Sequence, residues 1–217
     1  MDVAIAGGHG QIALRLERLL SQRGHRCRAI IRNPDHTGDV EAAGAEPVVL
    51  DLEALAGVGG LTAAVRGADA VVFAAGAGPG SGPERKRTVD FGGAVKLIAA
   101  AQAAGVHRYV MVSTLGADRP DARGDAMRAY FEAKRDAEDA LTATDLAHTI
   151  VRPGSLTDEP GTGLVTVADH LGRWGSIPRD DVAGLLLATL DSGHGIGRTI
   201  EVVAGDTPIE QALAAAT

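Results

Sequence analysis

Tyr130-Phe131-Glu132-Ala133-Lys134 places a phenol and an ammonium at i and i+4 of a predicted helix. That spacing puts both side chains on one helix face. An ammonium beside a phenol favours the phenolate, so the phenol can exchange a proton nearer neutral pH. Ser113 closes an apolar run 17 residues earlier, and its hydroxyl can donate to a substrate carbonyl. Tyr-x-x-x-Lys alone also reads as a surface pair on an amphipathic helix, so its place in the fold decides between the two readings.

A second constellation lies at Val3 to Ala13, VAIAGGHGQIA. The short β-branched run Val3 to Ala6 predicts a buried parallel strand. Leu16, Leu19 and Leu20 recur at helical spacing and predict a helix. Between them stands Gly7-x-x-Gly10-x-x-Ala13. Gly7 lets the chain turn out of the strand, Gly10 lets backbone approach a pyrophosphate, and Ala13 is small enough for helix to pack on strand. His9 offers its backbone N–H, while its ring needs no task. Gln11 and Ile12 open the helix, whose N–H groups and dipole suit phosphate. A glycine triplet alone is also a plain tight turn; strand before and helix after make it a dinucleotide-binding arrangement.

The rest of the chain repeats this alternation. Strands are predicted at Cys27 to Ile31, Glu46 to Leu50, Ala70 to Ala75, Arg108 to Ser113, His148 to Arg152 and Thr199 to Val203. Helices are predicted at Val40 to Ala43, up to Arg66, at Thr88 to Ala104, Asp125 to Leu141, Asp180 to Leu190 (capped by Asp180 or Asp181) and Ile209 to Ala216. Alternating strands and helices imply an α/β protein: a doubly wound, Rossmann-type parallel sheet in three α/β/α layers. No linker or repeat divides it, so one domain, 1–217, is expected, with a short substrate-side segment from about 154. The longest loops, Gly76 to Glu84, Gly116 to Gly124 and Pro153 to Gly163, should lie at the carboxyl edge of the sheet, where ligands bind.

Twenty-one basic against 28 acidic residues, net −7, argue against a nucleic-acid surface. One cysteine, Cys27, precludes an internal disulfide and suits a reducing, cytoplasmic location; it reads as a small core residue. No apolar run is long enough to span a membrane, and no secretory signal pattern precedes the first strand. The histidines other than His9 show no ligand spacing, so no metal is expected. Glu84-Arg85-Lys86-Arg87 reads as a solvated face, and Trp174, in a glycine-rich stretch, as a loop anchor.

In these motifs the chain resembles the short-chain dehydrogenase/reductase superfamily. It is most similar to the atypical or extended NAD(P)H-binding branch, with its flavin and biliverdin reductases and nitrogen-metabolite-repression regulators. The resemblance covers nearly the whole chain. It rests on the glycine turn, Asp51-Leu52, Ala74-Ala75-Gly76, Ser113, Tyr130-x-x-x-Lys134 and Arg152-Pro153-Gly154. It implies Tyr130 as general acid/base, Ser113 as the group orienting substrate and Lys134 as the anchor of the nicotinamide ribose. It further implies Asp51 on the adenine and Pro153 near the nicotinamide. Ala74 stands where many members carry Asn, so any role of that Asn is absent here.

Arg32 follows the second strand, where an acidic residue would bind the ribose diol of NAD; an arginine suits the 2′-phosphate of NADP. The expected cofactor is therefore NADP, ahead of NAD, and the expected partner a small carbonyl, alcohol or quinone-like substrate. Monomer and homodimer both stay open. Two rival readings are a non-catalytic NAD(P) sensor and an epimerase or dehydratase of sugar nucleotides. The 64 residues after Pro153 leave little room for a sugar-nucleotide site.

Overall fold

The computed structural model describes residues 1–78, 80–119 and 124–216. Residue 79, in the predicted loop Gly76 to Glu84, and residues 120–123, in the predicted loop Gly116 to Gly124, lie outside the described residues. The first half alternates as the sequence predicts: β1 (Asp2–Ala6), α1 (Gln11–Gln22), β2 (Arg26–Ile31), α2 (Thr37–Ala42), β3 (Glu46–Val49), α3 (Gly59–Val65) and β4 (Ala70–Phe73). Next come α4 (Pro83–Arg85), a π-helical segment (Lys86–Gly93) and α5 (Ala94–Ala104), then β5 (Arg108–Val112), α6 (Asp125–Thr142) and β6 (Ala147–Pro153). The remainder is β7 (Ser155–Thr157), β8 (Leu164–Ala168), β9 (Ser176–Pro178), α7 (Arg179–Ser192), β10 (Arg198–Ala204), β11 (Thr207–Pro208) and α8 (Ile209–Ala215).

Nine strands form one sheet in the order β3-β2-β1-β4-β5-β6-β10-β8-β11. The central strands are apolar along their whole length because both faces are covered. Val3 and Ile5 face one cluster with α1 and α7, whereas Ala4 and Ala6 face a second with α3 and α5. The sheet is thus doubly wound in three layers, as predicted. Its order reverses between β1 and β4, which opens a crevice at their carboxyl ends.

The far end departs from the sequence reading. The predicted parallel sheet gains β8, antiparallel to β10, and β11, antiparallel to β8. The stretch from 154 also carries a two-stranded sheet of β7 and β9 instead of a plain loop. These strands are two to five residues long and broken by glycine, too short for an alternation pattern to show. Asp180 and Asp181 do not cap α7 either: Pro178 holds that position. Their carboxylates turn back instead to the N–H groups of Gly161, Thr162 and Gly163. The predicted helix from Thr88 starts earlier, at Pro83, a residue suited to a first helical position. Among the described residues no helix is long and apolar enough to cross a membrane.

Candidate functional site

The glycine turn is built as its spacing requires. Gly7 takes φ +85°, and a Cβ there would sit 2.5 Å from the backbone of Ala75. The segment just after β4 therefore passes against the turn with no room for a side chain. The N–H groups of Gly7 and Gly8 donate to the Ile30 carbonyl, and Gly10 N–H donates back to Gly7 O at 2.8 Å. Gly10 caps α1 without a side-chain hydrogen bond, and no acidic residue stands in the first turn. The helix start is left to an outside acceptor, and its dipole favours an anion there. These features fit a dinucleotide pyrophosphate.

A cleft opens beside this turn. Gly7, His9 and Gly10 form one wall, Ala74, Ala75 and Gly76 another, and Arg32, Asp51 and Leu52 the far end. Gln11 and Ile12 are not among the described lining residues: Gln11 instead accepts a hydrogen bond from Arg15, and Ile12 is buried in the core. Pro153 lies at the end of β6, where its carbonyl accepts from Leu115 N–H at 2.8 Å, away from this cleft.

The rim holds groups that the motifs did not single out. Glu53 accepts from Arg85 at 2.8 Å, from Thr88 at 2.7 Å and from Arg32 at 3.3 Å. The hydrogen bond from the Arg85 guanidinium, above all, holds the Glu53 carboxyl below the usual carboxylate range. Arg32 thus stands at the mouth of the cleft, where a 2′-phosphate reader belongs, but shares a carboxylate with Arg85. Asp51 accepts the Glu53 N–H at 2.9 Å and so shapes this corner. The His9 ring, which the sequence reading gave no task, stacks on His36 with centroids 3.5 Å apart and meets Asp39 at 2.8 Å. Arg85 belongs to the run read as a solvated face. It lines the cleft because the helix begins at Pro83 and turns that residue inward.

The catalytic candidates stand just after β5 and on α6. On α6, Phe131, Lys134, Glu138 and Leu141 are all buried, so two charged groups occupy an otherwise core-facing stripe. Lys134 lies 3.3 Å from Asp90 and donates to Val112 O at 3.2 Å. Asp90 comes from the π-helical segment, a wider turn that often marks functional positions. Its other oxygen accepts Ala77 N–H, in the cleft wall, at 3.1 Å. Tyr130 is half-buried, its ring centre 6.0 Å from Lys134 Nζ and 5.1 Å from Lys86 Nζ. Lys86 in turn donates to Gly78 O at 2.8 Å, which ties Tyr130's surroundings to the loop after β4.

Ser113 is buried and donates its hydroxyl to Glu138. Glu138 also accepts two hydrogen bonds from Arg152 Nε, at 3.0 and 3.2 Å, and one from Arg152 Nη2 at 2.5 Å. Sequence reasoning quoted Arg152 without a role and missed Glu138, although Glu138 lies one turn beyond Lys134 on the same face. Trp174 does anchor loops: a Cβ on Gly116 would meet its ring at 2.4 Å, so the stretch between β8 and β9 is pinned to the loop after β5. Burial pushes the Cys27 thiol up, which suits a core residue and not a nucleophile.

Sheet order, glycine turn and switch-point cleft define a nucleotide-binding α/β protein of the Rossmann type. The chain belongs to the NAD(P)H-binding family, whose sequence profile matches residues 7–193. Over 214 residues it is 42% identical to the Bacillus subtilis (strain 168) protein named uncharacterized sugar epimerase YhfK, covering 98% of this chain and 99% of that one. It is similar to a Bacillus halodurans structure provisionally named an NAD-dependent epimerase/dehydratase, with TM-score 0.93, 40% identity and 99% of each chain covered. It is also similar to the structure of the oxidoreductase ylbE from Lactococcus lactis, with TM-score 0.86, 29% identity, and 99% and 96% of the two chains covered.

Proposed function

We propose that this chain is an NADP(H)-dependent oxidoreductase of the atypical short-chain dehydrogenase/reductase type. It would act on a small carbonyl, alcohol or quinone-like substrate. The observation that carries this reading is the buried Lys134–Asp90 pair directly behind the cleft wall, with Tyr130 one helical turn before Lys134. A sensor needs the glycine turn and the rim, but gains nothing from two charges held in the core beside a phenol.

When bound, the nicotinamide supplies or accepts the hydride. The chain's own residues do the rest. The glycine turn and the start of α1 receive the pyrophosphate. Arg32 and Arg85 offer charge to a 2′-phosphate. Tyr130, flanked by Lys86 and Lys134, delivers the proton to the substrate oxygen. Lys134 serves as the ribose anchor from a position fixed by Asp90 and Val112 O. Ser113 orients the substrate carbonyl once its hydroxyl leaves Glu138, which keeps its bonds from Arg152.

An epimerase is the second reading, favoured by the names of two full-length relatives. Chain length does not argue against it, because the Bacillus subtilis relative is matched over 99% of its own length. An epimerase takes a hydride and returns it, so net cofactor oxidation separates the two. The protein is incubated with NADPH and a panel of quinones, aldehydes and flavins, and separately with NAD+ or NADP+ and nucleotide sugars, and both cofactor and products are quantified. Net NADPH oxidation by at least one acceptor supports the proposal. Isomerised sugar without net oxidation would establish the epimerase, and no turnover at all the sensor.

A further inference from the structure

A second polar cluster stands beside the carboxyl ends of β5 and β6 and the middle of β10, apart from the glycine-turn cleft. We infer that Asp118, His170 and Glu201 form a binding site for one divalent cation of the zinc class. Asp118 comes from the loop after β5, His170 from the loop after β8, and Glu201 from β10. Their candidate ligand atoms all lie within 4.8 Å of one another.

Glu201 is the decisive residue. Its side chain is 0% exposed. One oxygen, Oε2, accepts the Leu171 N–H at 2.7 Å, which also fixes the backbone beside His170. The other, Oε1, is buried without a hydrogen-bond partner. A buried carboxylate oxygen left unsatisfied is costly, which calls for a partner the protein's own atoms do not provide. His170 Nδ1 lies 3.6 Å from that oxygen. Two ligands of one tetrahedral ion, each bound at about 2.0–2.2 Å, stand about 3.4 Å apart. The 3.6 Å gap is long for a hydrogen bond and right for a shared ion. Asp118 and His170 are exposed.

Charge points the same way. Arg152 lies nearby, but its Nε and Nη2 are committed to Glu138. Its Nη1 stays 3.6 Å from Asp118 and 3.9 Å from Glu201, beyond good hydrogen-bonding distance. Arg119 Nε also lies 3.6 Å from Asp118, so two guanidiniums face the three carboxylates Asp118, Glu138 and Glu201, and negative charge is left in excess for a cation to meet. One imidazole nitrogen with two carboxylate oxygens suits zinc and its first-row neighbours more than magnesium or calcium, which prefer oxygen alone. Three protein ligands leave a fourth position open at the edge where the long loops gather.

The test is calorimetric titration of the chelator-stripped full-length protein with zinc alone and with magnesium alone. Cobalt absorption spectroscopy serves as a second readout. Wild type should bind one zinc per chain, at least tenfold tighter than His170→Ala and than Asp118→Asn. Bound cobalt should show the spectrum of a low-coordinate site, and magnesium should bind more weakly than zinc. These two variants change exposed side chains, so folding is not at stake; circular dichroism verifies it. Zinc affinity unchanged in the His170→Ala Asp118→Asn double variant, or no zinc binding by wild type, would overturn the site.

Discussion

Lys134 and Asp90 form a 3.3 Å ion pair in which both side chains are almost wholly buried, 5% and 1% exposed. Breaking such a pair leaves one uncompensated charge in the core, at a cost of about 3–5 kcal/mol. Asp90→Asn should therefore destabilise the protein by that amount in urea unfolding. The double variant Asp90→Asn Lys134→Met should recover a large part of the loss, because neither charge remains. Equal stability of wild type and Asp90→Asn would show that the pair is not closed in solution.

The rim of the cleft makes opposite predictions for two residues. Arg32→Glu removes a charge-assisted contact and should weaken NADP binding by roughly 1.5–3 kcal/mol, with NAD little affected. Glu53→Gln should instead strengthen NADP binding relative to NAD, because Arg32 and Arg85 lose their shared carboxylate. Calorimetric titration of both cofactors measures each. Equal wild-type affinities for NADP and NAD would remove Arg32 as the selector.

Gly10→Val tests the cradle. A Cβ at Gly10 would meet only Gly7 O, at 3.0 Å, and Ala74 O, at 3.6 Å, and the backbone there is extended. The fold should survive while the added side chain blocks the approach of phosphate. Thermal unfolding should stay cooperative and nucleotide affinity should drop at least tenfold. Undiminished affinity would place the pyrophosphate elsewhere.

Glu17 gives a pH prediction. It is buried on α1, and neither carboxylate oxygen has a hydrogen-bond partner. Burial pushes its pKa up from 4.5 to about 8. The folded protein keeps this proton over a range where the unfolded chain has lost it. The group's contribution is complete below about 4.5 and is lost as pH rises to about 8. The slope approaches about 1.4 kcal/mol per pH unit. Glu17→Gln, which has no proton to lose, should gain on wild type steadily across that window in urea unfolding. A constant difference between the two would mean that Glu17 meets water in the folded state.

Much of the fold was legible because the central strands are buried on both faces and so read as short apolar runs bounded by glycine. Val3 to Ala6 and Ala70 to Phe73 needed no tertiary information. The edge beyond β10 and the β7–β9 pair were not legible, since β7, β8, β9 and β11 are held by pairing and not by pattern. The glycine turn could be read because Gly7 and Gly10 answer a local steric demand. Glu53, Asp90 and Glu138 could not: each acts through a partner far along the chain, and an acidic residue in a helix or loop looks solvated until its partner is seen. His170 and Glu201 were hidden for the same reason, being 31 residues apart and brought together only by the antiparallel edge.

The central claim is that Tyr130 delivers a proton during nicotinamide-dependent turnover. Tyr130→Phe removes one hydroxyl and little volume, so the direct measurement is its turnover number beside that of wild type, with NADPH affinity measured on both. We expect NADPH affinity to hold while turnover falls by about 10²–10⁴, the worth of a general acid. Full activity in the phenylalanine variant would contradict the account and assign the proton to water.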